Sequence, residues 1–226
     1  MTTAATTVAA AITAVDQADS PESLSSAVKA LADLVYPESI PTLIRVLGYN
    51  NPGAALAAVQ GLINLGDCAV APVLAALDEY NYGARAYSIR VLGAIGHPQS
   101  LDLLLQAALT DFAPSVRRAA IKGLGHLRWQ ELSDREAVAA QTQVLNAFSQ
   151  LIQESDWSLR YAVVVALAEL LVFTMNGSTV SGPLAAEILA RLKQISQADV
   201  DIAVRARAQL ALQPFQAVSP VSMRPL

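Results

Sequence analysis

Apolar positions recur at three- and four-residue spacing along most of this chain. Leu43, Val46 and Leu47 follow the i, i+3, i+4 rhythm of an amphipathic helix, as do Leu101, Leu104 and Leu105. Breakers interrupt the stripes at Gly48-Tyr49-Asn50-Asn51-Pro52, Gly66-Asp67, Gly96-His97-Pro98 and Asn176-Gly177-Ser178. Alternating strand patterns closed by hairpin dipeptides are missing. The pattern predicts two interleaved series of helices. The first series covers residues 22–35, 38–48, 68–78, 98–109, 136–153 and 182–196. The second covers 52–65, 83–95, 114–127, 157–173 and 201–212.

The second series repeats a motif: a small, polar or proline start, an apolar residue, usually an arginine, then an alanine-rich run. Its fourth positions are Ala55, Arg85, Arg117, Arg160 and Arg205, at intervals of 30, 32, 43 and 45 residues. A period of this size marks a solenoid, in which each helix pair buries its apolar stripe only against its neighbours. The expected fold is therefore all-α, an α-solenoid of about five to six HEAT-like helix pairs. It should occupy residues 1–212 as one array, followed by a proline-containing tail over 213–226. The two long intervals read as loop insertions, a polar one at Arg128–Gln141 and a Gly/Ser/Thr one at Phe173–Pro183.

Counted from the motif arginine, the preceding residues (Ala84, Val116, Leu159, Val204) are apolar, and the seventh after it is always leucine (Leu92, Leu124, Leu167, Leu212). These and the third position after lie on one face, the expected core stripe. The arginines beside it have two readings. One is a ladder between repeats, pairing with acids such as Asp111, Asp156 and Asp201. The other is the holding of an anionic ligand. Ile89, Ile121 and Val164, four after the arginine, are expected at the edge of the core or outside it. Flanked by Arg90, Arg118 and Lys122, they would form an apolar strip with cationic borders.

Composition narrows the function. The chain has 226 residues, 54% hydrophobic and 15% charged, with a formal net charge of −4. That balance excludes a disordered chain and a sequence-wide basic field for nucleic acid. One cysteine and two histidines exclude a disulfide framework and a cysteine-rich zinc site, and no metal site is expected. Cys68 reads as a semi-buried structural thiol, His97 as a solvated turn residue and His126 as a helix end. No basic-start signal peptide opens the chain, and no run approaches the roughly 18 apolar residues of a membrane span. A soluble, intracellular protein is expected. Nucleophile-elbow, phosphate-loop and zincin motifs are all missing.

Three segments are more specific. They are Asn81-Tyr82-Gly83-Ala84-Arg85-Ala86-Tyr87-Ser88-Ile89-Arg90-Val91-Leu92-Gly93, Asp111-Phe112-Ala113-Pro114-Ser115-Val116-Arg117-Arg118-Ala119-Ala120 and Asp156-Trp157-Ser158-Leu159-Arg160-Tyr161-Ala162-Val163-Val164. Together they resemble the F subunit of the E/F-type phycobilin lyases of cyanobacteria, over most of the chain. The resemblance implies a heterodimer with a homologous E-type subunit. It implies attachment of phycocyanobilin, a bound substrate rather than a prosthetic group, to a cysteine of the phycocyanin α subunit. The bond would be a thioether, and the nucleophile would belong to the acceptor. The implied setting is cytoplasmic, at phycobilisome assembly. F-type subunits that also isomerise the bilin carry an Asn-His-Cys-Pro segment. Gly96-His97-Pro98-Gln99 lacks the cysteine, so attachment without isomerisation is expected.

For such a substrate, Arg85, Arg90, Arg118 and Arg160 are candidates to hold the propionates. Tyr82, Tyr87, Trp157 and Tyr161 are candidates to pack on the rings. Asp156 is a candidate to hydrogen-bond pyrrole nitrogens and favour a protonated, more electrophilic chromophore. Its competing role is to cap the helix at Trp157. The alternative function is a non-catalytic HEAT-repeat bilin chaperone or scaffold in phycobilisome assembly or degradation.

Overall fold

Alanine, the best helix former, dominates the apolar content, and the backbone responds accordingly. The structure, a computed structural model, describes residues 2–77, 81–175 and 181–216. Among these, every regular element is helical. The order is α1 (Thr2–Asp16), α2 (Pro21–Asp33), α3 (Ile40–Val46), α4 (Pro52–Leu65), α5 (Asp67–Ala75), α6 (Tyr82–Ile95), α7 (Leu101–Thr110), α8 (Pro114–Gly125), α9 (Asp134–Leu151), α10 (Trp157–Met175), α11 (Ser181–Ala198) and α12 (Ile202–Gln216). The helix pairs expected from the repeats are present, so the fold is all-α and HEAT-like.

Helix starts are set locally. Pro21, Pro52 and Pro114 open their helices, where a missing N–H costs nothing. Four residues before the motif position stands a recurrent capping residue. Asn51 Oδ1 accepts from the Ala54 N–H at 3.1 Å, Asn81 Oδ1 from Ala84 at 3.0 Å, and Asp201 Oδ1 from Ala203 at 2.8 Å. Ser133 and Glu136 form a reciprocal cap ahead of α9, with Ser133 Oγ donating to Glu136 Oε2 at 2.6 Å.

The contacts sort into two compact units, Met1–Ala140 and Gln141–Leu226. In the first, α2 packs on α4, α4 on α6, and α6 on α8. Its core runs through Val28, Leu31, Leu43, Leu62, Val70 and Leu92. Helix α1 lies outside the predicted helices, yet Val8 and Val15 are buried in that core with Ile12 beside them. In the second unit α10 packs on α11 and α12. Leu159, Val163, Leu167, Leu170, Leu192 and Val204 are all buried there.

Several expectations need correction. Ile89, Ile121 and Val164 are each fully buried, so the fourth position belongs to the core and no apolar strip is exposed there. The Arg128–Gln141 stretch is not a solvated loop. Trp129 is 2% exposed, and the stretch already contains the first turns of α9. Helix α12 continues through Pro214 to Gln216, beyond the expected end at Leu212. Residues 176–180, in the expected Gly/Ser/Thr loop, and 217–226, in the expected tail, lie outside the described residues. Finally, Trp157–Thr174 in α10 is long and apolar enough to cross a membrane, against the expectation from sequence. It serves here as the central helix of its unit, buried on the α11 and α12 side.

Candidate functional site

The motif arginines are drawn inward by acids six residues before the next motif arginine. Arg85 Nε and Nη2 donate to Asp111 at 2.6 and 3.1 Å, with both side chains under 10% exposed. Arg160 Nε and Nη2 donate to Asp199 at 2.9 and 3.0 Å, again with both side chains buried. Arg160 Nη1 also donates to the Glu154 and Ser155 carbonyls. These planar, two-pronged pairs satisfy most of each guanidinium. The hydrogen bonds from Arg160 hold the Asp199 carboxyl below its usual range, although burial works against this. The same bonds raise Arg160. Arg117 and Arg205 bind backbone carbonyls instead: Arg117 Nε donates to Ala108 at 2.9 Å, and Arg205 Nη1 to Asp199 at 2.6 Å.

The ladder reading therefore describes the arginines, with its partners revised. Asp111 pairs with Arg85 as expected. Asp156 and Asp201 cap helices, and Asp199 takes Arg160. Arg85 and Arg160, candidates for the propionates, direct their charge into the fold.

Asp156 is the capping residue of α10. Its Oδ1 accepts from the Ser158 N–H at 2.8 Å, and it stands immediately before Trp157. Asp156→Ala is expected to cost about 1 kcal/mol of stability, the usual value of a cap. Urea unfolding measures this. An equal loss of lyase rate per folded molecule would return Asp156 to the chemistry.

The aromatic candidates are split between the units. Tyr82 is 59% exposed at the first residue of α6, whereas Tyr87 packs against the unit-1 core. Trp157, half exposed, meets Tyr161 edge to face at 6.3 Å. Arg90 and Lys122 are exposed on α6 and α8, and Arg118 is half-buried on α8. Cys68 is exposed rather than semi-buried, and its Sγ donates to the Leu65 carbonyl. His97 is half-buried, with Nδ1 accepting from the Gln99 N–H at 3.1 Å.

Each buried pair also floors a cleft, which sequence reasoning missed. In unit 1 a space of about 350 Å³ lies over Arg85 and Asp111, between the end of α5 and α7. In unit 2 a space of about 790 Å³ lies over Arg160 and Asp199, between the end of α9 and α11. That larger volume falls within the range of small-molecule sites. Its walls are apolar at Phe148, Ile152, Val163 and Ile195, with Arg191 at the edge. The only available signal was the acid column six before the motif arginine.

These features define a HEAT-repeat protein with ligand-sized clefts over buried ion pairs. The HEAT repeats family matches residues 70–141. Phycocyanobilin lyase subunit beta of Thermosynechococcus vestitus is 51% identical over 203 residues, 89% of this chain and 93% of that protein. Phycocyanin alpha phycocyanobilin lyase CpcF of Synechocystis sp. is 50% identical over 159 residues, 70% of this chain and 74% of that protein. A chain from the complex of CpcE and CpcF of phycocyanin lyase from Nostoc sp. PCC7120 is 48% identical, with a TM-score of 0.69. It covers 77% of this chain and 98% of that one. A designed armadillo repeat protein, 17% identical with a TM-score of 0.55, shares the fold alone. The chain belongs to the family of phycocyanobilin lyase subunits.

Proposed function

We propose that this chain is the F-type subunit of a heterodimeric phycobilin lyase. With a homologous E-type subunit, it attaches phycocyanobilin to a cysteine of the phycocyanin α subunit. The observation that carries this reading is the 51% identity to a phycocyanobilin lyase subunit over nearly the full length of both chains. The likeness to a chain of the CpcE–CpcF complex supports the heterodimer.

The reaction is a net addition. The acceptor thiol adds across the bilin's exocyclic ethylidene double bond. Sulfur bonds to the exocyclic carbon, the thiol hydrogen goes to the ring carbon, and nothing is released. Phycocyanobilin is the substrate, and the nucleophile comes from the acceptor. The lyase contributes by fixing the conformation of a flexible bilin and presenting one face of the reacting carbon, which is catalysis by orientation. His97 engages a backbone N–H and has no adjacent cysteine, in keeping with attachment without isomerisation. The work is placed in the cytoplasm, at phycobilisome assembly.

The test is co-expression of this chain with its E-type partner, the phycocyanin α subunit and a phycocyanobilin-producing pathway. Bilin fluorescence on the α subunit that survives denaturation, and requires both lyase chains, is expected. Bilin bound without covalent transfer would replace the lyase with a chaperone.

A further inference from the structure

The two clefts are the same place in two repeats. Each is floored by the motif arginine and its buried aspartate partner, Arg85–Asp111 in one and Arg160–Asp199 in the other. Each has a glutamine five residues before that aspartate, Gln106 and Gln194. Among the lining positions that differ, two change the chemistry most. The residue after the aspartate is Phe112 in unit 1 and Val200 in unit 2. The residue eight before it is Leu103 in unit 1 and Arg191 in unit 2.

The first difference bears on how open each floor is. The Phe112 ring lies over the Arg85 guanidinium at 5.0 Å, so the chain supplies its own lid in the smaller cleft. A guanidinium already paired with a carboxylate keeps its flat face available for a π-system. Val200, 88% exposed, has no ring to offer, and the unit-2 cleft is more than twice as large. Unit 1 thus offers a precedent for a planar ring over such a pair.

The second difference adds a cation at the edge. Arg191 Nη1 donates to the Leu145 carbonyl at 3.2 Å and also to the Ser149 hydroxyl. Its other side meets Glu187 one turn earlier on the same helix, in a pair with a half-exposed carboxylate. Solvent-facing pairs of this kind are weak and readily exchanged. A ligand carboxylate arriving there finds a cation already oriented by α9.

We infer that the unit-2 cleft seats one pyrrole ring of the bilin, stacked on the Arg160–Asp199 pair where Phe112 stacks in unit 1, with a propionate at Arg191. A flat conjugated heterocycle bearing a carboxylate arm is the chemistry the two substitutions select together. The inference rests on the lyase reading and locates its substrate on this chain.

The decisive variant is Val200→Phe, which rebuilds the unit-1 lid in unit 2. The position is on the surface, so the fold has no reason to suffer. The measurement is phycocyanobilin titration of the purified complex with the E-type partner, followed by visible absorbance, with denaturation-resistant attachment as a second readout. Val200→Phe is expected to weaken binding about tenfold or more, and Arg191→Leu about fivefold, with helicity and partner binding unchanged. A Val200→Phe complex with parental affinity overturns the assignment while leaving the lyase reading intact. A parent complex that neither binds nor transfers the bilin overturns both.

Discussion

Asp199→Ala lowers the stability of the second unit by about 3 kcal/mol, the lower end of the cost of breaking a buried ion pair from one side. Arg160, 7% exposed in the parent, would be left with two of its donors unmatched. Because its charge cannot be shed near neutral pH, the burden falls on the fold. Chemical denaturation of parent and variant at pH 7 measures the loss. The same pair shapes the acid limb. The Asp199 carboxyl titrates below its ordinary value of 3.8 in the folded state, because Arg160 hydrogen-bonds its charged form. The stabilisation is therefore complete above that value and fades as the pH falls through the lower folded one. The raised Arg160 works in the opposite sense, and its contribution is retained across the accessible range. The variant should lose that part of the acid dependence. A parental stability profile would show the pair to be dispensable.

Gly93→Ala is expected to cost about 3 kcal/mol in the first unit, since the crowding is between backbones and not at the tip of a flexible side chain. A Cβ on Gly93 would stand 2.7 Å from the Gly123 Cα, and one on Gly123 2.6 Å from the Gly93 Cα. Helices α6 and α8 would have to part, loosening Leu92 and Leu124, which are fully buried beside the contact. Gly83→Ala is the matched control. An added methyl there meets only Asn81 Oδ1 at 3.4 Å, and alanine gains helix propensity. Thermal unfolding should put the two variants on opposite sides of the parent. A Gly93→Ala protein as stable as the parent would mean that the helices yield without loss.

The repeat is legible because each helix pair buries its stripe by the same rule. The leucine column seven after the arginine is buried in all four repeats. The cap and acid columns are equally present in the letters. They carry little signal, because Asn51, Asn81, Asp156 and Asp201 look like ordinary turn residues until the N–H groups they satisfy are located. An arginine ladder can be read from the repeats, but a partner one repeat away cannot be chosen from spacing when several aspartates stand close by. Helix α1 escapes because its stripe, Val8, Ile12 and Val15, lies among threonines and alanines of little contrast. The clefts themselves left no trace beyond the acid column. A void depends on how far two helices separate over a third, and no residue pattern records that distance.

The contrast between Phe112 and Val200 also bears on how such proteins diversify. A valine codon can become a phenylalanine codon by a single base change, so opening or shutting one of these clefts is within reach of one mutational event. Duplicated repeats supply spare copies of the same floor. A lineage could retire one pocket and recruit another without rebuilding the scaffold. The residue directly after the arginine-paired aspartate is then the column in which to look for changed bilin preference among relatives.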